Sequence, residues 1–140
     1  MSFVARVPIR FNQADPGGIL FFAKVYEIAH DVYEDFVRSL GFEWKAWFQN
    51  ESWAVPIRHS TCEYYAPIWA GMAVDVTVNL ERVGESSFTI KYDFKSGDKR
   101  RCTVELVHTF LDKKTIGKMP IPSEIRGKLE AYQRESGSAQ

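Results

Sequence analysis

The sequence predicts an α+β domain in which one long helix lies on a single face of an antiparallel sheet. Three observations carry this: a two-residue apolar alternation at the N-terminus, a helical apolar period between Phe22 and Leu40, and four strand-like runs after it. With the order strand, long helix, strands, the helix stripe has only one sheet face to cover it. A chain of 140 residues suits one domain, expected over 1–134 with a polar tail at 135–140. Its 45% hydrophobic and 14% aromatic content supplies a bulky core and argues against intrinsic disorder.

The opening segment sets Phe3, Ala5, Val7, Ile9 and Phe11 against Val4, Arg6, Pro8 and Arg10, the period of a strand with one face on a core. Pro8 marks it as an edge or an irregular strand. Asn12 to Gly18 then forms a turn cluster whose two glycines permit close approaches that a side chain forbids. From Phe22 the apolar residues Val25, Tyr26, Ala29, Tyr33, Phe36, Val37 and Leu40 share one helical face, and Lys24, Glu27, Asp31, Glu34, Asp35 and Arg38 share the other. The helix ends at Gly41.

An aromatic stretch with Trp44, Trp47, Phe48 and Trp53 follows, expected to be irregular and to serve as core or as an acyl-pocket wall. Strand-like runs at about 54 to 65, 72 to 83, 86 to 96 and 99 to 112 are separated by Ala66–Gly71, Val83–Glu85 and Ser96–Asp98, and predict a four-stranded antiparallel meander. Beyond Pro120-Ile121-Pro122, the spacing of Ile125, Leu129 and Tyr132 predicts a short C-terminal helix. Apolar residues on both alternating sets of the strands predict further burial by self-association.

Charge and cysteine content narrow the function. Eighteen basic and eighteen acidic residues cancel, which argues against a nucleic-acid or anionic-membrane binder, and Lys99-Arg100-Arg101 is the longest basic run. No apolar run approaches the roughly 18 residues of a membrane span, and the N-terminus lacks a signal-peptide core, so a cytoplasmic location is expected. Cys62 and Cys102 are far apart in sequence and read as buried, reduced thiols without a second thiol nearby. The spacings of His30, His59 and His108 suggest no zinc site; all three read as hydrogen-bonded core or interface residues.

The run Arg10-Phe11-Asn12-Gln13-Ala14-Asp15-Pro16-Gly17-Gly18-Ile19-Leu20-Phe21-Phe22, between a strand and a long helix, resembles the active-site segment of the 4-hydroxybenzoyl-CoA thioesterase class of hotdog-fold proteins. Trp53-Ala54-Val55-Pro56-Ile57, Tyr64-Tyr65-Ala66-Pro67 before Gly71, the Gly84-Glu85-Ser86 turn and Pro120-Ile121-Pro122 are similar to later landmarks of that family, in order. The resemblance implies a five-stranded antiparallel sheet wrapped around the helix, a dimer or dimer of dimers (a homotetramer), and hydrolysis of acyl-CoA thioesters without metal or separate cofactor. It carries Asp15 over as the catalytic carboxylate, the Phe22 backbone N–H as oxyanion donor, and Gly18 as the shaper of the loop between them.

These residue types suit that chemistry. A thioester carbonyl needs a nucleophile, or a base acting on water, on one side and a donor to its developing charge on the other; a helix N-terminus has unpaired N–H groups and the favourable dipole end. A carboxylate can attack directly and form a mixed anhydride, or deprotonate water. The sequence leaves both routes open. Outside the resemblance, Asp15 would read as an Asp-Pro-Gly turn residue.

Several positions depart from the family pattern. Gln13 stands where many relatives carry a second acid, Val25 where a helix tyrosine is common, and Ile19 where many carry histidine, the last favouring an aromatic acyl group. His30-Asp31-Val32-Tyr33-Glu34 with Val55-Pro56-Ile57-Arg58-His59 is similar to 1,4-dihydroxy-2-naphthoyl-CoA thioesterases. Glu27, Asp31, Glu34 and Asp35 read as the solvated helix face rather than as a second acid. For the CoA moiety the resemblance points to Ser86 in its turn. The expected function is hydrolysis of an aromatic acyl-CoA to free CoA and the carboxylic acid; the alternatives are a short-chain or general acyl-CoA hydrolase, or a non-catalytic acyl-CoA or acyl-carrier-protein binding module.

Overall fold

In a computed structural model, which describes residues 1–137, the chain forms a five-stranded antiparallel sheet, a long helix on one face of it and a second helix beside the first. Strand β1 (Phe3–Pro8) leads through a 3-10 turn (Phe11–Gln13) and the glycine loop to α1 (Lys24–Ser39). Next come α2 (Trp44–Phe48), β2 (Trp53–Ala54), β3 (Ile57–Tyr64), β4 (Ala73–Val83), β5 (Ser87–Ser96), β6 (Lys99–Thr109), β7 (Leu111–Asp112) and α3 (Ser123–Gly137). The sheet order is β1-β4-β5-β6-β3, and β2 pairs with β7.

The core lies between the sheet and α1. Alternate residues Val74, Val76, Val78 and Leu80 of β4, Phe88, Ile90, Tyr92 and Phe94 of β5, and Cys102, Val104, Leu106 and His108 of β6 are buried. From α1, Val25, Ile28, Ala29, Val32, Tyr33, Phe36 and Val37 meet them. The stripe is thus wider than the spacing suggested, with Ile28 and Val32 added, while Phe22 precedes the helix and is 64% exposed. Phe11 is likewise no core residue: the 3-10 turn breaks the alternation and leaves it 88% exposed.

The predicted four-strand meander is corrected to three strands. β4, β5 and β6 follow one another as hairpins, but β3 pairs with β6 at the far edge, and β1 takes the place beside β4. Pro56 interrupts the run read as 54 to 65, leaving β2 and β3 as separate strands. The aromatic stretch is partly helical: in α2, Trp47 is buried, and its Nε1 donates to the Tyr33 hydroxyl at 2.8 Å.

The C-terminal helix is longer than expected. It packs Ile125, Leu129 and Tyr132 onto the core and runs through Gly137 with Ser136 buried, so the segment from 135 is helical; residues 138–140 of the expected tail lie outside the described residues. The Tyr132 hydroxyl accepts the Phe3 N–H at 2.8 Å and donates to the Val78 carbonyl, tying α3 to the β1 edge. With Pro8 and α3 the β1 edge is guarded. β3 has no such cover: seven of its eight residues are exposed, and among the described residues nothing pairs with its outer edge.

The other sheet face is polar rather than apolar, contrary to expectation. Asp93 accepts from Asn79 Nδ2 at 2.9 Å and from Thr103 Oγ1 at 3.0 Å, and Arg100 joins this group through Thr103 at 2.9 Å. Exposed apolar residues collect instead at the end of the sheet near the glycine loop, where Phe11, Phe21, Phe22, Tyr64, Tyr65 and Trp69 lie.

The expectation that each thiol stands alone is also corrected. Strand register sets Cys62 opposite Val104 and Tyr64 opposite Cys102, so both sulfurs project from one face, two residues out of step. Hydrogen bonding with Cys102 pulls the Cys62 thiol below its ordinary value, against the upward push of burial. Both cysteines are free.

Candidate active site

The segment after β1 folds back on itself as a tight loop. Gln13 closes its base: its carbonyl accepts the Phe21 N–H at 2.9 Å, and its side-chain oxygen accepts the Arg10 N–H at 2.7 Å. Ala14 bridges Leu20 one step in, and the Asp15 N–H donates to the Ile19 carbonyl at 2.8 Å. The outer side is held to the 68–70 segment, Leu20 N–H to Ile68 O at 2.7 Å and Ala70 N–H to Gly18 O at 3.0 Å.

Asp15 is half-buried inside this loop. Its Oδ1 accepts the N–H of Gly17 at 2.9 Å and of Ile19 at 3.1 Å, which fixes the carboxylate and leaves Oδ2 without a donor among the described residues. Gly18 has φ +86°, a left-handed backbone that a Cβ would strain, and the turn that lets Ile19 reach Asp15 depends on it. Two of the sequence-predicted residues are thereby explained by one set of bonds.

Phe22 follows directly on the closed base of the loop. No acceptor among the described residues takes its N–H. It lies just ahead of the N-cap Ala23, where unpaired amides and the positive end of the α1 dipole favour negative charge. Because residue 21 is bonded to residue 13, two places before Asp15, the loop brings the carboxylate and this free amide to the same end of the sheet. That arrangement can hold a carbonyl between an attacking oxygen and a hydrogen-bond donor.

Three cavities adjoin the site end and the helix. One of about 340 Å³ is lined by Ile19, Leu20, Tyr64, Tyr65, Ala66, Pro67 and Ile68, so the loop that holds Asp15 forms one wall. A second, about 480 Å³, lies between α1 and the open β3 edge, lined by Tyr26, Glu27, His30, Asp31, Ile57, Ser60 and Leu106. The third, about 420 Å³, shares His30 and Ile57 with the second and is walled by Tyr33, Trp47, Phe48 and Trp53. The aromatic cluster is therefore core on its inner side and cavity wall on its outer side.

The remaining candidates separate. Lys24 pairs with Glu27 at 3.0 Å on the solvated helix face, and burial, then the charge of Glu34, raises the Asp31 carboxyl above its usual range. Of the three histidines only His108 is a core residue; His30 and His59 are exposed. Among the described residues no group of His, Cys, Asp or Glu is placed to hold a metal ion.

Ser86 is not brought to Asp15 within one chain. The glycine loop follows the end of β1 that pairs with Ala73, whereas the Ser86 turn follows Val83 at the opposite end of β4. Ten residues of strand, roughly 33 Å, separate them. Two residues that the sequence reading names without giving them a place in the site belong to it. Gln13 closes the loop, and its only signal was a position two before Asp15. Tyr64 donates its hydroxyl to the Phe22 carbonyl at 2.8 Å across 42 residues, for which the sequence holds no signal.

Residues 9–129 match the thioesterase-like superfamily, and the chain belongs to that family. Its fold is the hotdog fold of thioesterases. Among curated relatives, the 1,4-dihydroxy-2-naphthoyl-CoA hydrolase of Nostoc punctiforme is 27% identical over 140 residues, covering 100% of this chain and 95% of that protein. The hydrolase of the same name from Synechococcus elongatus is 26% identical over 123 residues, 87% of this chain and 90% of its own. A solved 1,4-dihydroxy-2-naphthoyl-CoA thioesterase from Synechocystis superposes with a TM-score of 0.84 at 16% identity, covering 92% of this chain and 96% of that one. A gentisyl-coenzyme A thioesterase superposes at 0.80 and 22% identity, covering 89% and 99%.

Proposed function

We propose that the protein hydrolyses aromatic acyl-CoA thioesters, with a 1,4-dihydroxy-2-naphthoyl group favoured over 4-hydroxybenzoyl, releasing the carboxylic acid and free CoA. The observation that carries this reading is the Asp15 carboxylate, clamped through Oδ1 at the same end of the sheet as the Phe22 amide, which has no acceptor among the described residues. Oδ2 acts on the thioester carbonyl, directly or through a water, while the Phe22 N–H receives the charge that develops on the carbonyl oxygen. The C–S bond breaks, CoA leaves as thiolate, and one water is consumed overall. The reaction needs no cofactor, because CoA arrives as part of the substrate.

The names of the matched relatives and the apolar and aromatic lining of the cavity beside the Asp15 loop support an aromatic acyl group. Ile19 places an aliphatic wall where a histidine would bring a polar one. The test is thiol release from 1,4-dihydroxy-2-naphthoyl-CoA, 4-hydroxybenzoyl-CoA, benzoyl-CoA and aliphatic acyl-CoAs. Expected is a kcat/KM at least tenfold higher for the naphthoyl ester than for any aliphatic one. Equal values favour a general acyl-CoA hydrolase, and tight binding without release favours a binding module.

The working unit is a homo-oligomer built on a dimer that pairs two copies through β3. That strand is the unguarded edge, and two cavities open beside it. A two-fold antiparallel pairing sets one copy's Tyr64 end against the other's Ile57 end. Ile57 pairs with His108, which pairs with Phe88, two residues from Ser86, so Ser86 of the partner subunit would reach the Asp15 end and the CoA moiety. Light scattering should give at least twice the 16.1 kDa chain mass, and a monomeric mass at micromolar concentration would remove the pairing. A cytoplasmic location fits two adjacent free thiols, and no helix among the described residues is long and apolar enough to cross a membrane.

A further inference from the structure

We propose that Tyr64 is a positioning residue for the thioesterase reaction, holding the Phe22 amide in the orientation from which it donates to the carbonyl oxygen. The inference rests on the role given to Phe22 above and extends it to a residue on another element. Phe21 is fixed on both sides, its N–H to Gln13 and its carbonyl accepting the Lys24 N–H at 2.9 Å, and Ala23 opens the helix. Phe22 lies between these anchors with no acceptor for its N–H among the described residues and with a mostly exposed side chain, packed against Phe21 at 4.9 Å.

Its carbonyl is held by the Tyr64 hydroxyl at 2.8 Å. The Phe22 N–H belongs to the Phe21–Phe22 peptide, held on one side by the Lys24 bond, and the Tyr64 bond fixes the peptide that follows, so the plane carrying the N–H cannot rock about residue 22 without breaking one of the two. Tyr64 is well placed to act as the fixed point, since its backbone sits in the β3–β6 ladder opposite buried Cys102. Its ring lines the cavity whose other wall is Ile19, so the contact joins the Asp15 loop, the helix start and the sheet. Partial burial, then the bond to Cys62, raises the hydroxyl above its ordinary range, so it remains a donor.

A donor that must point at the transition state loses most of its value when it swings away, whereas substrate binding elsewhere is unaffected. Tyr64→Phe removes the hydroxyl and keeps the ring. The expected result is a kcat about tenfold lower with KM within about twofold, together with a lower amide order parameter at Phe22 and none at Ile90 in the centre of β5. A variant with wild-type kcat and an unchanged Phe22 order parameter overturns the inference. The order parameter is read without substrate, so if the wild type releases no thiol at all, the activity reading fails while the positioning contact is still tested. A rise in KM with kcat unchanged would make Tyr64 a binding wall and likewise overturn it.

Discussion

Asp15→Asn is expected to lower kcat for aroyl-CoA hydrolysis by about 10³-fold, within the range that a positioned base or carboxylate nucleophile supplies. The amide keeps the shape of the side chain, and its oxygen can still accept the Gly17 and Ile19 amides that now bind Oδ1, so the loop should stay closed. What it removes is the negative charge at the oxygen left without a donor. The variant should therefore bind substrate with a KM or Kd near that of the wild type and melt within a few degrees of it. The measurement is steady-state thiol release with a parallel thermal melt. Near-native turnover in a folded variant would take Asp15 out of the chemistry, and a collapsed melting temperature would show that the carboxylate serves the loop.

Stability should fall as pH drops below about 6.5, with His108 a leading cause. The ring is fully buried, stacked on Tyr33 at 4.2 Å and on Phe88 at 4.9 Å, and its Nε2 lies 3.3 Å from the Tyr92 hydroxyl. Nδ1 has no hydrogen-bond partner among the described residues, so nothing there compensates a second proton. Burial, and secondarily the charge of His30, lowers its pKa to about 3 from 6.5. The unfolded chain takes up the proton near 6.5 and the folded one only near 3, so the contribution is complete above 6.5 and is lost progressively as pH falls toward 3. At about 1.4 kcal/mol per unit the whole window amounts to roughly 5 kcal/mol, a large share of an ordinary domain's stability. Urea unfolding at pH 7, 5.5 and 4.5 checks it. His108→Gln should flatten the pH slope by up to about 1.4 kcal/mol per unit relative to wild type, and parallel slopes would contradict the assignment.

Helix α1 was legible because Val25 through Val37 repeat at helical spacing. It starts two residues later than the spacing predicts, because Phe22, apolar and in phase, faces solvent instead. Phe11 misled for the same reason: apolar type and correct phase cannot reveal that a 3-10 turn has already ended the strand. The placement of β3 is hidden because neighbouring runs suggest hairpins, whereas the segment around Pro67 and Gly71 carries the chain from the β3 edge across the sheet to β4, beside β1. Register, invisible in sequence, also set Cys62 beside Cys102.

The site divides along the same line. The Asp15 loop is local, so its glycines and neighbours were readable together, and the bonds from Gly17 and Ile19 explain why those residue types stand there. Tyr64 and the separation of Ser86 from Asp15 depend on which strand ends share one end of the sheet. Only the fold supplies that.

The central claim, that Asp15 and the Phe22 amide together cleave an aromatic acyl-CoA, is tested most directly by thiol release from 1,4-dihydroxy-2-naphthoyl-CoA with wild type and Asp15→Asn side by side. Rapid release by the wild type that disappears with asparagine is the predicted result. No release by the wild type, or equal release by both proteins, would contradict it.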